Sequence, residues 1–489
     1  MQRLFARTGL ALLLTGSLAA GALVRTDAHA ARTNVVAIEN QRNGTRSWEI
    51  RPAPRRAIEG YASEVSVAPG EMVHLHVSTR QPAYYRVAVY RIGWYGGAGG
   101  RRIGCVPGCA ADRLGAAEPI PAPAPGTGLL PAQWPVTDEF RVGRNWPSGY
   151  YLANLTLTRG RTAGRGSWVP FVVRASPSQA PTQTPTQGSA ILVQAAVNTW
   201  QAYNRWGGRS LYWNHTGVGD DHVSFDRPYD PRGAPRYAGP EANLPQAWEF
   251  PLVRFLERFG YDVSYTTDLD TDRDPTELLR HRLVMSAGHD EYWTTTMRTA
   301  FERARDAGVN LAFMGANTAY WQMRYENGGR TIVEYRTGDR DPEPSTTLKT
   351  VRFRDLVPAR PECQLLGVQS LAIGNGDYTA TAASYTPPDP WFAGTGFTAT
   401  STLPGLVGYE YDTLVDGCVT PAPTILFHHS ARNNPSADAV RSIARSGARV
   451  FASGSIRFAT SVDPLRGRGD PRLQRFMRNA LADLIRRHY

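Results

Sequence analysis

A chain of 489 residues exceeds what one ordinary hydrophobic core organises, so two or three domains are expected. Its formal charge of +11 raises the question of nucleic acid, but the positive residues are scattered arginines and Lys349 is the sole lysine. That usage fits a GC-rich genome better than phosphate recognition, and nucleic-acid binding is set aside.

The N-terminus has the three parts of a secretory signal peptide over residues 1–30. Arg3 and Arg7 supply the positive region, Gly9 to Val24 is uncharged and mostly apolar, and Ala28-His29-Ala30 offers a small-x-small cleavage site. The competing reading, a retained membrane anchor, meets a stretch that is short against the roughly 20 apolar residues of a span. No second long apolar segment follows, and no paired arginine supports a Tat signal. A secreted or periplasmic protein is expected. Four cysteines agree with an oxidising compartment and allow three pairings. Cys105–Cys109 and Cys363–Cys418 are preferred because each pair stays within one proposed domain. A zinc site at Cys105-Val-Pro-Gly-Cys109 lacks a second close pair or a histidine cluster.

Residues 50–175 read as an antiparallel β-sandwich of immunoglobulin-like size. Val65, Val67, Val73, Leu75 and Val77 alternate with polar residues, and further strand patterns lie at Tyr85–Tyr90, Tyr151–Leu157 and Trp168–Val173. Gly104 to Pro131 reads as an insertion loop. Residues 176–189, with three prolines and little apolar content, predict an extended linker. Beyond it, residues 190–489 predict an α/β (amidotransferase-like) domain with a mainly parallel sheet covered on both faces. Strands are expected at Ala190–Val197, Tyr261–Tyr265, Leu283–Ser286, Val309–Phe313 and Ala448–Ala452. Helices are expected at Trp248–Phe259, Pro275–Leu279, Thr295–Ala307 and Pro471–Arg487. Residues 330–425 are less regular.

Ligands of open α/β sheets bind beyond the carboxyl ends of the strands, which selects three segments. The first, after Val197, carries Tyr203 and Tyr212. The second is Ala287-Gly-His-Asp-Glu-Tyr-Trp293, and the third is Met314-Gly-Ala-Asn-Thr-Ala-Tyr-Trp321. The His289-Asp290-Glu291 turn offers an imidazole and two carboxylates but no nucleophilic Ser or Cys, which favours metal or acid–base chemistry over covalent catalysis. Its alternative role is to cap the following helix with Asp290 and Glu291.

The tyrosine segment, the His289-Asp-Glu-Tyr-Trp293 motif and Gly315-Ala-Asn-Thr-Ala-Tyr-Trp321 together resemble the catalytic domain of the N,N-dimethylformamidase large (β) subunit family. Tyr90-Arg-Ile-Gly-Trp-Tyr-Gly-Gly97 resembles the same family. The resemblance implies a mononuclear Fe(III) held by Tyr203, Tyr212 and Glu291, with His289 and Asn317 as the accompanying catalytic pair, and hydrolysis of an amide-type C–N bond in a small molecule. The family enzyme works with a small subunit that this chain does not contain, and it is not evidently exported, so the formamide substrate is not carried over. Homo-oligomerisation is left open.

Two other functions compete. A secreted glycan- or cell-wall-binding protein would use Trp94, Trp134, Trp146, Trp200, Trp206, Trp213, Trp293 and Trp321 as an aromatic surface. A metal-free hydrolase would use His289 with a carboxylate, but it lacks a nucleophile at the turn.

Overall fold

The computed structural model describes residues 34–175, 188–214, 217–230, 244–465 and 469–486. The expected signal segment, residues 1–30, lies outside them, as do residues 176–187 of the expected linker.

In the N-terminal region, period-two patterning produces strands that each bury one face. Within the strand Met72–Thr79, Val73, Leu75 and Val77 are at most 1% exposed. One sheet orders Arg51–Pro52, Arg165–Val173, Gly149–Leu157, Ala83–Ile92 and Gly100–Val106 side by side, and a second joins Ile58–Ala62, Met72–Thr79 and Asp138–Arg141. Leu75 and Val77 of the second meet Val87, Leu155 and Phe171 of the first in a common core. The long strands pair antiparallel as expected, but Arg165–Val173 also makes short parallel pairs with Arg51–Pro52 and Ser66–Val67. The expected insertion loop contributes a strand of its own, Arg113–Gly115, and the Cys105–Cys109 disulfide sits at its root.

The larger sheet follows. Numbered in chain order, its strands are β1 (Ile191–Ala195), β2 (Val263–Thr267), β3 (Leu283–Ala287), β4 (Asn310–Met314), β5 (Val368–Thr379), β6 (Thr402–Leu414), β7 (Thr424–His429), β8 (Ala437–Ile443) and β9 (Arg449–Ala452). Their spatial order is β2-β1-β3-β4-β9-β8-β7-β5-β6. From β2 to β9 every pair is parallel, and from β9 to β6 every pair is antiparallel. The sheet is therefore mixed rather than mainly parallel. Parallel neighbours need a crossover of a dozen residues or more, and the helices that supply one stop at β4, after which direct reversals build hairpins. The Cys363–Cys418 disulfide joins the segments flanking the β5–β6 hairpin.

The main helices here are α1 (Val197–Tyr203), α2 (Phe250–Arg258), α3 (Asp268–Arg273), α4 (Thr295–Asp306) and α5 (Pro471–Leu484). The expected helices at Trp248, Thr295 and Pro471 form within about two residues of their expected starts. The short helix expected at Pro275 is a single 3-10 turn, Glu277–Arg280. Two helices, α1 and α3, arise where a strand end or loop was expected; Thr267 caps α3 by accepting from Asp270 N. No described helix is long and apolar enough to cross a membrane.

The described residues form one compact unit. One core contains Trp48, Ile92 and Tyr150 of the N-terminal sheets together with Val193, Phe250 and Tyr265 of the α/β region. At this junction Arg91 makes two hydrogen bonds to Glu257, at 2.7 and 2.9 Å, with both side chains fully buried, and Tyr265 Oη donates to the same carboxylate at 2.9 Å. Removing one partner of such a pair strands a buried charge and costs about 3–5 kcal/mol.

Candidate functional site

The three segments singled out above converge at the carboxyl edge of β1, β3 and β4. Backbone geometry at the turns allows this. Gly288 adopts φ 67°, and a Cβ there would sit 2.8 Å from Glu249 Cγ. A Cβ on Gly315 would overlap the Gly288 carbonyl oxygen, so the β3 and β4 turns touch backbone to backbone. Residues beyond the turns then lock together. Ala319 N donates to Asp290 O, and Tyr320 N and Trp321 N both donate to Glu291 O. From α1, Thr199 Oγ1 accepts from Glu291 N at 2.9 Å.

Glu291 is the centre of this arrangement. Tyr203, at the end of α1, donates to its Oε2 at 2.9 Å, and Tyr212 donates to its Oε1 at 2.5 Å. The two phenol rings stack with centroids 4.4 Å apart, their hydroxyl ends turned to Glu291 while the rings remain partly exposed. Burial, reinforced by the negative charge of Glu291, holds both phenols well above their ordinary range near 10. Burial also pushes Glu291 up to about 7, helped by Glu410 and opposed by His289 and the two tyrosine hydroxyls.

His289 Nε2 lies 2.9 Å from Glu410 Oε2 and 3.3 Å from Glu291 Oε2, within ion-pair distance of both carboxylates. Burial alone would lower its pKa, but Glu410 and Glu291 together raise it to about 9, so the ring is cationic at neutral pH. His289 in turn outweighs burial at Glu410 and holds that carboxyl below its usual range. Asn317 Nδ2 donates to Glu410 Oε2 at 2.9 Å, which orients its amide, since a carboxylate only accepts. Its backbone N donates to Asp412 Oδ1 at 2.9 Å, with Asn317 at φ 56°. The buried Asn317 Oδ1 has no partner among the described residues.

All five expected site residues, Tyr203, Tyr212, Glu291, His289 and Asn317, thus fall in one cluster. The helix-capping alternative is corrected. Helix α4 is capped by Thr294, and its first turn carries no acidic residue. Asp290 points into the protein, accepting from Ser286 Oγ, Gln194 Nε2 and Trp293 Nε1. Sequence reasoning missed Glu410 and Asp412, which β6 places on one face two residues apart. A signal was present, since Gly408-Tyr-Glu-Tyr-Asp412 alternates carboxylates into an otherwise apolar strand. It also missed Tyr292, whose hydroxyl donates to Tyr212 Oη at 2.5 Å, and Arg336, whose guanidinium lies 4.6 Å from the centroid of the Tyr212 ring.

Among the described residues no group of three or more His, Cys, Asp or Glu is arranged to hold a metal. Any hard cation here would depend on the tyrosine oxygens. Those oxygens and Glu291 form a compact all-oxygen set whose protons a strongly Lewis-acidic ion could displace. The aromatic surface considered above is largely internal: Trp134, Trp200, Trp206 and Trp293 are buried, and Trp213 is 40% exposed.

A mixed α/β sheet thus gathers two tyrosines, a glutamate and a histidine at the carboxyl edge of its parallel strands, with Glu410 of the antiparallel strand β6 facing the histidine. The chain belongs to the N,N-dimethylformamidase beta subunit-like family, whose C-terminal region matches residues 86–471. That match takes in much of the N-terminal sheets as well as the α/β region. No curated protein matches the chain.

Proposed function

We propose that this protein is an exported, metal-dependent hydrolase of an amide-type C–N bond in a small molecule. Tyr203, Tyr212 and Glu291 would hold a single Fe(III), and His289 and Asn317 would serve the reaction. The observation that carries the reading is the convergence of Tyr203 Oη and Tyr212 Oη on the two separate oxygens of Glu291. Export is supported by the signal-like N-terminus and by the two disulfides.

When bound, ferric ion supplies Lewis acidity to a carbonyl or a water. The protein's own groups handle the protons and the orientation. His289 carries its proton at neutral pH and is poised to deliver it from Nε2 to the departing amine nitrogen. Glu410, 2.9 Å away, keeps the imidazole charged beforehand. The neutral ring left by that transfer takes the proton that the attacking water releases, so that the proton gained by the amine is balanced by the one lost from water. The unpartnered Asn317 Oδ1 is an acceptor for a substrate N–H or for water, while the second Nδ2 hydrogen, not used by Glu410, can meet a developing oxyanion. Asp412 and Glu410 together prevent Asn317 from swinging away.

The test is a screen of the purified full chain, loaded with ferric ion, against small formamides, acetamides and related amides, with amine release as readout. Turnover that disappears in Glu291→Ala and falls at least a hundredfold in His289→Gln is expected. Hydrolysis undiminished in both variants would overturn the reading.

A further inference from the structure

One cation beside the site has no part in the reaction just outlined. Arg336 follows the short strand Thr331–Val333 and adopts φ 65°, a conformation unusual for a residue with a side chain. Glu334 Oε1 holds it there by accepting the Arg336 N–H at 2.9 Å. The turn places the guanidinium over the face of Tyr212, 4.6 Å from the ring centroid. Its Nε and Nη2 atoms are buried, yet neither has a hydrogen-bond partner among the described residues. The guanidinium also lies beside the Tyr292 hydroxyl, and its position over the ring suits a positive charge set against an electron-rich face. Tyr292, a neighbour of Arg336 as well, donates its hydroxyl to Tyr212 Oη at 2.5 Å. Tyr203 lacks both features. Its hydroxyl meets Glu291 alone, its ring neighbours are Tyr212 and His289, and no guanidinium covers its face among the described residues.

We infer that the two tyrosines are unequal: Tyr212 is the principal phenolate ligand, and Arg336 and Tyr292 are positioning residues that balance and stabilise the negative charge it carries in that role. The inference rests on the ferric reading of the site. A cation over the ring is attracted more strongly once the ring bears net charge, and a donor to the phenolate oxygen lowers the energy of its lone pairs. Both effects raise the energy needed to move an electron from phenolate to ferric ion, so both set the colour of the complex as well as its stability.

The test uses the full chain titrated with ferric nitrilotriacetate, with affinity read by chelator competition, the phenolate-to-iron absorption band by visible spectroscopy and folding by circular dichroism. Arg336→Gln should weaken ferric affinity about tenfold and move the band to longer wavelength. Arg336→Lys should retain most of both, and Tyr292→Phe should shift the band in the same direction with a smaller loss of affinity. Tyr203→Phe should weaken binding while keeping a band that still responds to Arg336→Gln. An unchanged band in folded Arg336→Gln and Tyr292→Phe would overturn the inference, even if affinity fell, because a purely structural role would do the latter. Should Arg336→Gln fail to fold, an unshifted band in Tyr292→Phe decides against it. A wild-type chain that binds no ferric ion and shows no band would instead remove the reading on which the inference stands.

Discussion

The two halves of the large sheet supply the site in different ways. The parallel half presents its residues from turns beyond the strand ends, where Tyr203, His289, Glu291 and Asn317 follow β1, β3 and β4. The antiparallel half presents Glu410 and Asp412 from within β6, and both bind Asn317. Turn residues lie free of the ladder and can surround a ligand. Strand residues are held by the ladder and can only brace what approaches them. On the proposed function this is a division of labour in which the parallel half would bind the ion and the antiparallel half would control the proton on His289.

Substitutions can break this comparison from either side. Glu291→Ala, on the parallel side, removes the group that gathers both tyrosines and should abolish ferric binding, measured by metal analysis after desalting. Glu410→Gln, on the antiparallel side, should leave ferric affinity within a few-fold of wild type while lowering turnover about 10²- to 10⁴-fold. Because Glu410 is the strongest influence holding the proton on His289, the alkaline limit of the residual rate should also move to lower pH. A pH titration of ferric affinity sharpens the parallel side. Both phenols sit well above 10 and Glu291 near 7, so binding must displace these protons and should tighten as pH rises, by about tenfold per unit for each proton lost. The slope should ease above pH 7, where Glu291 has already ionised. The smallest effect is expected for Asp412→Asn, which weakens the hold on the Asn317 backbone and should lower stability by about 1–2 kcal/mol in denaturant melts while leaving the iron site intact.

A pH effect on stability should come from a different carboxyl. Glu249, buried where α1 meets the N-terminal sheets, accepts from Trp200 Nε1 and from the Tyr150 hydroxyl, and burial pushes it up to about 8. Its folded value lies above its unfolded one, so its contribution is fully present below about pH 4.5 and is lost as pH rises through about 8. Glu249→Gln should flatten that part of the stability profile, as followed by thermal melts from pH 5 to 9.

The same contrast explains what could be read from the sequence. Glu291, His289 and Asn317 were legible because short apolar strands ended in compact polar turns, and the rule that ligands gather at strand ends did the rest. The helical setting of Tyr203 is hidden because Ala190 to Val197 reads as one strand, whereas α1 begins at Val197 and carries Tyr203 at its end. Glu410 carried only the alternating carboxylates of Gly408–Asp412 as a signal, because residues 330–425 lack helical punctuation and β5 and β6 pair through a hairpin whose register depends on long-range contact. Arg336 gave no signal at all, since one arginine among many acquires meaning only from the ring it covers. In the N-terminal region the alternation of Val73, Leu75 and Val77 was sufficient for the strands, but the short parallel edge pairs depend on chain segments far apart in sequence.

The most direct test of the central claim is visible spectroscopy of the full chain titrated with ferric ion, beside Glu291→Ala and Tyr212→Phe. An absorption band that saturates at one ion per chain, is absent in Glu291→Ala and is shifted or lost in Tyr212→Phe is the predicted result. A colourless wild-type protein that retains no iron, or a band unchanged in both variants, would contradict it.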